Sequence, residues 1–343
     1  MNLLVIHTAF IGDIALSTPL LAKIKEKYPN AKLYYLTTPA GAMLLKNNPR
    51  IEKVIVFDKK GKDKGIRGFI GIVKELRKYR FSKVFILHRY LRSSLIGYFT
   101  GADEKIGFDI ASGSFLYNKK IKYGKELHEI DRLLEFIDGE NKKYKIEIYP
   151  SDVNVENVDK IWKKFSILDH KIVVIAPGSK WFTKMWPKEY FDELIDKLVK
   201  IDKVKVVLVG GKEDKEIKMK NEYKTIDLRG ETTLLDLAEI LKRSDIIVTN
   251  DSSPIHIGSA FEKPFIIAIF GPTIKEFGFT PSNEKNEILE IEGLECRPCG
   301  IHGHKKCPLG HFKCMKEISP DRVYNSVINK LWNLEEKNEN ISY

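Results

Sequence analysis

The amino-acid sequence predicts an α/β protein with two successive Rossmann-like α/β/α domains. Short runs of β-branched and aromatic residues alternate with amphipathic stretches of helical spacing, which is typical of right-handed βαβ units and a parallel sheet. This alternation stops at a polar stretch around Pro150–Asn157 and then begins again. A chain of 343 residues is long enough for two separate cores. We therefore expect two domains that face each other across a cleft.

The N-terminal half contains four predicted strands and three predicted helices. Near-continuous apolar runs are expected when both faces of a parallel sheet are covered. The predicted strands are residues 2–7, 31–37, 53–58 and 83–88, and the predicted helices are residues 20–28, 68–79 and 128–139. Two basic clusters, Lys59–Lys64 and Lys119–Lys125, fall between these elements and are predicted to be loops.

The same pattern returns in the C-terminal half. The predicted strands there are residues 172–177, 205–210, 245–251 and 264–271, and the predicted helices are residues 190–201, 234–243 and 253–261. A last helix over Pro320–Leu334 is expected to pack back on the first domain. The predicted domains are residues 1–165 and 166–320, followed by a C-terminal helix and tail over residues 321–343.

The net charge favours an anionic partner. Lys and Arg number 58 against 47 Asp and Glu, which gives a formal net charge of +11. This excess suits nucleic acid, an acidic membrane surface or a phosphorylated substrate, although a lysine-rich proteome would produce the same excess without a partner. The start MNLLVIHTAF lacks the basic segment of a signal peptide, and no apolar run reaches the roughly 18–20 residues of a membrane span. We expect a cytoplasmic protein.

The loop after the first predicted strand holds a candidate catalytic carboxylate. Open α/β sheets bind ligands at the carboxyl ends of their strands. The segment HTAFIGDIALSTP carries Gly12 and Asp13 there in place of G-x-G-x-x-G, and no Walker motif occurs, which argues against a dehydrogenase and a P-loop NTPase. Asp13 could remove the proton of a sugar hydroxyl, or it could cap the following helix. Thr18-Pro19 is an equally suitable helix start, which would leave Asp13 available.

Two loops of the second half carry residues suited to a nucleoside diphosphate. Ser179 and Lys184 follow a predicted strand and offer a hydroxyl donor and a compact cation to a diphosphate. Asp214 follows Gly210-Gly211 at the next strand end, where an acidic group binds ribose hydroxyls in other mononucleotide-binding halves. The alternatives are that Lys184 is a solvated loop lysine and that Asp214 is a solvated charge at a helix start.

The segment NDSSPIHIGSA is the strongest local signal. A buried strand leads into Asp251, Ser252 and Ser253, and the first turn of the next helix holds His256. Free amides and the positive end of the helix dipole form a natural phosphate site there. Thr273 ends the next strand on the same edge. The alternative is serine capping with a core-facing His256, which leaves the cluster of polar side chains unexplained.

All four cysteines lie in one cysteine-rich segment, residues 296–314. Cys296, Cys299, Cys307 and Cys314 are spaced C-x2-C-x7-C-x6-C. Without a secretory signal, a disulfide scaffold is not expected. A tetrahedral zinc site is one hypothesis, and reduced, packed thiols that shape a loop are the other.

Five motifs in order resemble the ADP-heptose:lipopolysaccharide heptosyltransferases, glycosyltransferase family 9. They are IGDIALSTPLL (11–21), PGSKWFTKMWP (177–187), GGKED (210–214), NDSSPIHIGSA (250–260) with FGPT (270–273), and CRPCGIHGHKKCPLGHFKCM (296–315). The resemblance implies a GT-B fold with the acceptor on the first domain and an ADP-sugar on the second. It also implies inverting transfer of a heptose to a lipid A-core oligosaccharide, the inner core of lipopolysaccharide. A basic protein suits this acceptor and the inner membrane face that presents it, since both are anionic.

The resemblance also implies roles for individual residues. Asp13 matches the general base, Lys184 the diphosphate-binding lysine and Asp214 the ribose-binding position. The nucleotide-sugar motif matches Asp251, Ser252, Ser253 and His256. Many members have Thr-Gly where this chain has Ser252-Ser253, so the backbone of this loop departs from the family pattern. No Asp-x-Asp pair occurs, which fits a diphosphate neutralised by a lysine and a helix terminus without a divalent metal.

Two rival functions follow from the same residues. A family member could use another sugar nucleotide or another cell-surface acceptor, and a donor panel separates these activities. A nucleic-acid-binding protein could combine the positive charge with a four-cysteine zinc module. The basic residues are dispersed, however, and no RNA- or DNA-binding motif occurs. We therefore expect no nucleic-acid partner.

Overall fold

A computed structural model describes residues 1–139 and 142–339 of the chain. The protein forms two compact units, Met1–Tyr149 and Pro150–Tyr343. Each unit is built on a six-stranded parallel sheet with helices between its strands. The predicted fold class, α/β with two Rossmann-like domains, is confirmed.

The first unit has the strand order β3-β2-β1-β4-β5-β6. Its strands are β1 (Asn2–Ile6), β2 (Lys32–Thr37), β3 (Lys53–Val56), β4 (Lys83–Ile86), β5 (Glu104–Phe108) and β6 (Lys119–Ile121). Its helices are α1 (Ile11–Leu16), α2 (Thr18–Lys27), α3 (Pro39–Leu45), α4 (Gly65–Arg77), α5 (Leu91–Phe99) and α6 (Glu129–Leu134).

The second unit has the strand order β12-β11-β10-β7-β8-β9. Its strands are β7 (Lys171–Ala176), β8 (Val204–Leu208), β9 (Ile226–Asp227), β10 (Ile246–Asn250), β11 (Phe265–Ile269) and β12 (Asn286–Leu289). Its helices are α7 (Asp152–Lys164), α8 (Lys188–Leu198), α9 (Leu234–Arg243), α10 (Ser253–Gly258), α11 (Lys313–Lys316) and α12 (Pro320–Glu339).

The two sheets share one topology. Counted within each unit, both strand orders are 3-2-1-4-5-6, the order of dinucleotide-binding folds. The chain changes its direction of progress across the sheet between β1 and β4 in the first unit and between β7 and β10 in the second. The loops after these paired strands therefore diverge and leave a crevice at the carboxyl edge, where open α/β sheets bind ligands.

Each unit has its own core of branched and aromatic side chains around the central strands. Leu4 and Ile6 of β1 are fully buried in the first unit, as are Val173 of β7 and Val248 of β10 in the second. Each such side chain stabilises the fold by roughly 1.5–3 kcal/mol relative to exposure. The loops that follow these central strands therefore start from the most firmly held part of the structure.

Four strands, β5, β6, β9 and β12, lie outside the sequence prediction. The prediction of a loop at Lys119–Lys125 is wrong at its start, because Lys119–Ile121 form β6. The backbones of Lys119 and Lys120 pair in parallel with Ile106 and Gly107 of β5. An edge strand needs little apolar surface, so the period of hydrophobic residues does not mark it.

Helix α7 begins inside the polar stretch around Pro150–Asn157. Ser151 and Asn154 form its capping box, and its Val158 and Trp162, one turn apart, are buried. The Asn154 side chain donates a hydrogen bond of 2.8 Å to Asp236 of α9. Because α7 packs on α9, the structure divides the chain after residue 149, whereas the predicted first domain ends at residue 165.

Helix α12 packs on the second unit, whereas we expected it on the first. Its Val323, Val327 and Leu331 recur every four residues and are at most 1% exposed. This apolar stripe joins the core of the second unit beside α8, strand β10 and strand β11. The spacing that predicts a helix does not say which domain receives its apolar side.

The helices also bear on the question of membrane spans. Across residues 1–139 and 142–339, no helix combines the length and the apolarity that crossing a bilayer requires. The 20-residue α12 is long enough, but its sequence PDRVYNSVINKLWNLEEKNE carries charges throughout.

Candidate active site

An ion pair between a half-buried lysine and a buried aspartate joins the loops after β7 and β10. The Lys184 Nζ atom lies 2.5 Å from the Asp251 Oδ2 atom, and the Thr273 hydroxyl donates a hydrogen bond of 2.6 Å to the same oxygen. The side chains of Lys184 and Asp251 are 13% and 8% exposed. Asp251 thus holds a cation and a hydroxyl group in fixed positions at the sheet edge. An ammonium has three N–H donors, so this pairing leaves Lys184 able to bind a further anion.

Asn250 ties the same two loops together. Its side-chain Oδ1 accepts a hydrogen bond of 2.9 Å from the Trp186 backbone N–H, and its Nδ2 donates one of 2.8 Å to the Pro177 carbonyl. The residue is fully buried. Because the amide uses both its donor and its acceptor, Asn250 fixes the loop of Lys184 relative to the strand that ends at Asp251.

Helix α10 begins directly after these residues. Ser252 is its N-cap residue, Ser253 is half-buried in its first turn, and His256 is buried. Within residues 142–339, the Ser252 side chain makes no capping hydrogen bond to the helix amides. Its hydroxyl lies 3.3 Å from the Thr249 hydroxyl instead. The first amides of α10 are therefore not taken up by a serine cap, as the capping alternative would require.

Asp214 connects the loops after β7 and β8. Its Oδ2 accepts a hydrogen bond of 2.8 Å from the Gly211 backbone N–H. A Cβ atom on Gly178 would lie 2.0 Å from the Asp214 Oδ1, and one on Gly210 would lie 2.3 Å from its Oδ2, so a side chain at either position would displace the Asp214 carboxylate. Burial raises the pKa of the Asp214 carboxyl. Ser179 follows Gly178 directly and is half-buried at the same edge.

The cysteine-rich segment supports the loop of Thr273 through an arginine that the sequence did not single out. Arg297 donates hydrogen bonds of 2.6 Å to the Gly271 and Thr273 carbonyls and pairs with Glu290 at 2.5 Å. Its side chain is 7% exposed. Arg297 thereby fixes the backbone of Thr273, whose hydroxyl contacts Asp251.

The same segment also contacts the loop of Lys184. The Thr183 N–H donates to the His304 carbonyl at 3.1 Å, and the His304 N–H donates to the Thr183 hydroxyl at 2.7 Å. These partners are 121 residues apart, so no local pattern marks them. The position of Arg297 inside the motif CRPCG is the one sequence signal that could have pointed to a supporting role.

The four cysteines are free thiols and lie near one another. Burial and then the neighbouring cysteines raise the pKa of Cys299, and the same causes raise the pKa of Cys314 to about 11. The Cys296 Sγ atom lies 3.9 Å from the His311 ring nitrogen. In the described parts of the chain, no three His, Cys, Asp or Glu side chains converge on a point that could hold a metal ion.

Asp13 lies on the edge of the first unit, in the first turn of α1. Its Oδ2 accepts a hydrogen bond of 3.2 Å from the Phe10 backbone N–H, and the side chain is half-buried. Helix α2 does begin at Thr18, but α1 begins before Asp13, so the carboxylate also belongs to a capping box. The Asp13 carboxylate is therefore held, half-buried, in the first turn of α1.

A second carboxylate near Asp13 escaped the sequence prediction. Glu129 begins α6, is 9% exposed, and pairs with Arg132 at 2.7 Å. Burial raises the pKa of Glu129, and the negative charge of Asp13 raises it further. Glu129 lies 116 positions after Asp13, which explains why spacing does not connect the two.

Two histidines follow the central strands β1 and β4 at this edge. Burial first, and then His88 and the cations Arg89 and Lys59, lower the pKa of His7 to about 3. Burial and the same cations lower the pKa of His88 to about 4. The His88 Nδ1 atom lies 3.2 Å from the Thr8 hydroxyl, and the Lys59 Nζ atom donates to the Thr8 carbonyl at 2.7 Å. Both imidazoles are therefore neutral at neutral pH.

Several known proteins are similar to this chain over nearly its whole length. The chain is 27% identical to lipooligosaccharide heptosyltransferase 2 of Campylobacter jejuni over 342 residues, which cover 97% of this chain and 99% of that protein. A glycosyltransferase family 9 structure from Veillonella parvula superposes with a TM-score of 0.84 at 24% identity and covers 97% of both chains. Escherichia coli ADP-heptose LPS heptosyltransferase II gives a TM-score of 0.79 at 21% identity and covers 98% of this chain and all of its own.

A more distant solved structure is described as containing a metal. The dodecameric glycosyltransferase TibC of enterotoxigenic E. coli, described as iron-containing, has a TM-score of 0.59 at 14% identity; the match covers 98% of this chain and 79% of TibC. At that identity the likeness shows the fold alone.

The family profile described as glycosyltransferase family 9 (heptosyltransferase) matches residues 70–312, which include the loops after β7 and β10 and most of the cysteine-rich segment. This match covers more than half of the chain, and the full-length relatives agree with it. The chain is a glycosyltransferase that belongs to family 9, the heptosyltransferases.

Proposed function

We propose that this enzyme transfers a heptose from ADP-heptose to the inner core of lipopolysaccharide with inversion at the anomeric carbon. The contact of Lys184 and Thr273 with Asp251 is the observation that carries this proposal, because it lies where an open α/β sheet binds its ligand. The names of the full-length relatives support the choice of a heptose and of a lipopolysaccharide acceptor.

The second unit binds the donor in this proposal. The Lys184 ammonium and the first amides of α10 neutralise the diphosphate, and the hydroxyls of Ser252 and Ser253 donate to it. Further contacts are assigned to Ser179, His256 and Thr273. Asp251 is a positioning residue, because a carboxylate repels a diphosphate but orients the lysine and the threonine hydroxyl beside it. Asp214 accepts hydrogen bonds from the ribose hydroxyls.

The first unit supplies the general base. The Asp13 carboxylate takes the proton of an acceptor hydroxyl as that oxygen attacks the anomeric carbon. The bond from this carbon to the diphosphate oxygen breaks on the opposite face, and ADP leaves with the electron pair. Lys184 and the α10 amides stabilise the charge that develops on the leaving oxygen. A single displacement forms no glycosyl-enzyme intermediate, so no second carboxylate is required as a nucleophile.

The proposed acceptor is a lipid A-core oligosaccharide, which is anionic and membrane-bound. The enzyme would meet it as a peripheral protein at the cytoplasmic face of the inner membrane. The excess of basic residues supports this location, because acidic lipids attract polybasic surfaces by about 1 kcal/mol per Lys or Arg near the surface.

Transfer in this proposal needs no divalent metal, because Lys184 and the α10 amides carry the positive charge that the diphosphate requires. The zinc hypothesis for Cys296, Cys299, Cys307 and Cys314 is tested separately by elemental analysis of tag-free protein. One zinc or iron per chain, with unfolding on chelation, would establish a structural metal. A content well below one, with no effect of chelator, would leave packed thiols.

A donor panel with a Lys184→Ala variant tests the proposed reaction. ADP-heptose should be the best donor among ADP-, UDP- and GDP-sugars, and a different best donor would favour another sugar or another acceptor. Lys184→Ala should lower kcat/KM for the donor by the equivalent of about 2–4 kcal/mol, because one cation leaves the diphosphate. The matched control is Lys188→Ala, which removes an exposed lysine at the start of α8. Equal kcat/KM values for the two variants would show that Lys184 is an ordinary loop lysine.

A further inference from the structure

The net positive charge of the protein is confined to the first unit. Residues 1–149 contain 28 Lys and Arg against 16 Asp and Glu, a net charge of +12, whereas residues 150–343 contain 30 against 31. Within the first unit, residues 59–80 hold nine basic and two acidic residues. This segment, the loop before α4 with α4 and the turn after it, is called the basic face below.

The two acidic residues of the basic face contact groups other than its own lysines and arginines. The Asp63 carboxylate accepts a hydrogen bond of 2.8 Å from the Asp58 backbone N–H, and the Glu75 carboxylate lies 3.8 Å from the Lys53 ammonium. Lys60, Lys62 and Lys64 are exposed, as are Arg67 and Lys74 along the helix. The basic face therefore presents a concentrated positive charge to solvent.

Helix α4 exposes isoleucines among these cations. Ile72 and Leu76 are 5% and 0% exposed and join the core, whereas Ile66 and Ile70 are 75% and 45% exposed. Ile66 and Ile70 lie one turn apart and therefore share one side of the helix. A helix that needed only its core side would carry polar residues at these positions.

Helix α5 continues the apolar surface beside α4. The Phe99 ring meets the Phe69 ring of α4 edge-on with their centroids 6.2 Å apart, so the two helices are in contact here. Tyr98 and Phe99 are 46% and 45% exposed. Aromatic and branched side chains next to lysines and arginines are typical of surfaces that enter the boundary between lipid headgroups and acyl chains.

We propose that the basic face, with Tyr98 and Phe99, docks the first unit onto an anionic lipid bilayer. Its lysines and arginines meet acidic headgroups, and Ile66 and Ile70 insert below them. Nucleic-acid phosphates would bind the cations but would offer no apolar surroundings to the exposed isoleucines. The combination of the two therefore favours a bilayer over nucleic acid. This proposal rests on the membrane contact of the proposed function and assigns it to a surface. Binding of that surface to lipid can be measured without any sugar transfer.

Vesicle co-sedimentation of the full-length protein tests this surface. Vesicles of phosphatidylcholine mixed with phosphatidylglycerol are compared with phosphatidylcholine alone, in about 0.1 M salt and without donor or acceptor. The wild-type protein should bind the mixed vesicles only. Ile66→Ser with Ile70→Ser should weaken binding roughly 10-fold or more, and Lys60→Gln with Lys62→Gln and Lys64→Gln on the order of 100-fold.

Matched controls come from the second unit. Val153→Ser with Leu168→Ser removes two exposed apolar side chains, and Lys160→Gln with Lys163→Gln and Lys164→Gln removes three exposed cations. Both controls should bind vesicles as the wild type does. Failure of the wild type to bind, or equal losses in the controls, would overturn the proposal.

Two further outcomes are equally decisive. If the lysine variant lost binding while the isoleucine variant kept it, the basic face would be a general polyanion site and no bilayer insertion would occur. If vesicle binding followed the expected order while the enzyme transferred no heptose, the docking surface would stand and the proposed donor or acceptor would fall.

Discussion

The carboxyl edges of the two sheets share a topology but hold their charged groups in different ways. In the second unit, Lys184, Asp251 and Thr273 contact one another, and Arg297 fixes the backbone around them. In the first unit, Asp13 stands half-buried at a helix start, and two neutral histidines lie among cations. The edge of the second unit is held together by ion pairs and hydrogen bonds, whereas the edge of the first unit has an excess of positive charge.

This difference matches two tasks in the proposed reaction. A diphosphate has a fixed shape, so a network that is already assembled spends no binding energy on rearranging its own groups. A general base must approach a hydroxyl on an acceptor and take its proton, which requires an accessible carboxylate. The predictions below test each edge in turn and then their relative stability.

The largest expected effect concerns Asp13. Asp13→Asn keeps the size of the side chain and its contact with the Phe10 N–H, but an amide cannot take a proton at neutral pH. We expect kcat to fall by roughly 10²–10⁴, the usual contribution of a positioned general base. Steady-state kinetics with ADP-heptose measures this change, with thermal unfolding and ADP affinity as companion readouts that should stay near wild type.

Asp152→Asn is the matched control for Asp13→Asn. Asp152 is also an acidic residue in the first turn of a helix, but it is exposed on α7. The control should change neither kcat nor stability by a measurable amount. An Asp13→Asn enzyme with normal turnover, or one that chiefly unfolds, would make Asp13 a structural cap and leave the proposed mechanism without its base.

A smaller effect is expected for Arg297, which acts through Thr273 and not on the donor itself. Arg297→Met removes the hydrogen bonds to the Gly271 and Thr273 carbonyls while keeping most of the side-chain volume. We expect KM for ADP-heptose to rise roughly 10-fold with kcat within about threefold, because a displaced loop misplaces the diphosphate. Arg297→Lys should recover part of this loss.

Arg243→Met separates positioning from stability. Arg243 pairs with Glu239 and Asp159 in the same unit and is 23% exposed at its side chain. Its replacement should lower the free energy of unfolding without changing KM. If Arg297→Met also lowered only the free energy of unfolding, the cysteine-rich segment would be a structural element with no influence on donor binding.

The sequence predicts the central strands of both sheets because fully buried parallel strands form apolar runs of recognisable length. It misses the outer strands β5, β6, β9 and β12, which are short or carry polar residues, and α7, whose start is polar. The same contrast holds for the site. Asp251, directly after β10, and Asp13, in the first turn of the helix after β1, are predicted to lie at a carboxyl edge because each follows a central strand.

Long-range partners are not predictable in this way. Arg297 reaches Thr273 from 24 positions away, and Glu129 approaches Asp13 from 116 positions away. Neither pair has a fixed sequence spacing, because the turns and helices between them set the distance. Spacing predicts which residues share an edge, whereas the packed loops determine which of them touch.

The last expected effect concerns acid stability and compares the two units. His7 and His88 have folded-state pKa values of about 3 and about 4, below the ordinary value of 6.5. At a pH between these folded-state values and 6.5, the histidines of the unfolded chain bind protons, whereas those of the folded chain stay neutral. The free energy of unfolding therefore rises with pH, and it decreases as the pH falls from about 6.5 toward 4. At pH about 5, replacing both histidines with glutamine should remove roughly 4 kcal/mol of this loss.

The chain itself supplies the probe for this test, because all four tryptophans lie in the second unit. Tryptophan fluorescence therefore follows the second unit, while far-ultraviolet circular dichroism follows both. In urea at pH about 7, 5 and 4, the dichroism midpoint should fall more steeply than the fluorescence midpoint, and His7→Gln with His88→Gln should bring the two together. His302→Gln, at an exposed position of the second unit, should leave the gap unchanged. The contradicting result would be urea midpoints from dichroism and fluorescence that fall in parallel with pH in every variant. The neutral imidazoles would then not make the first unit more sensitive to acid than the second unit.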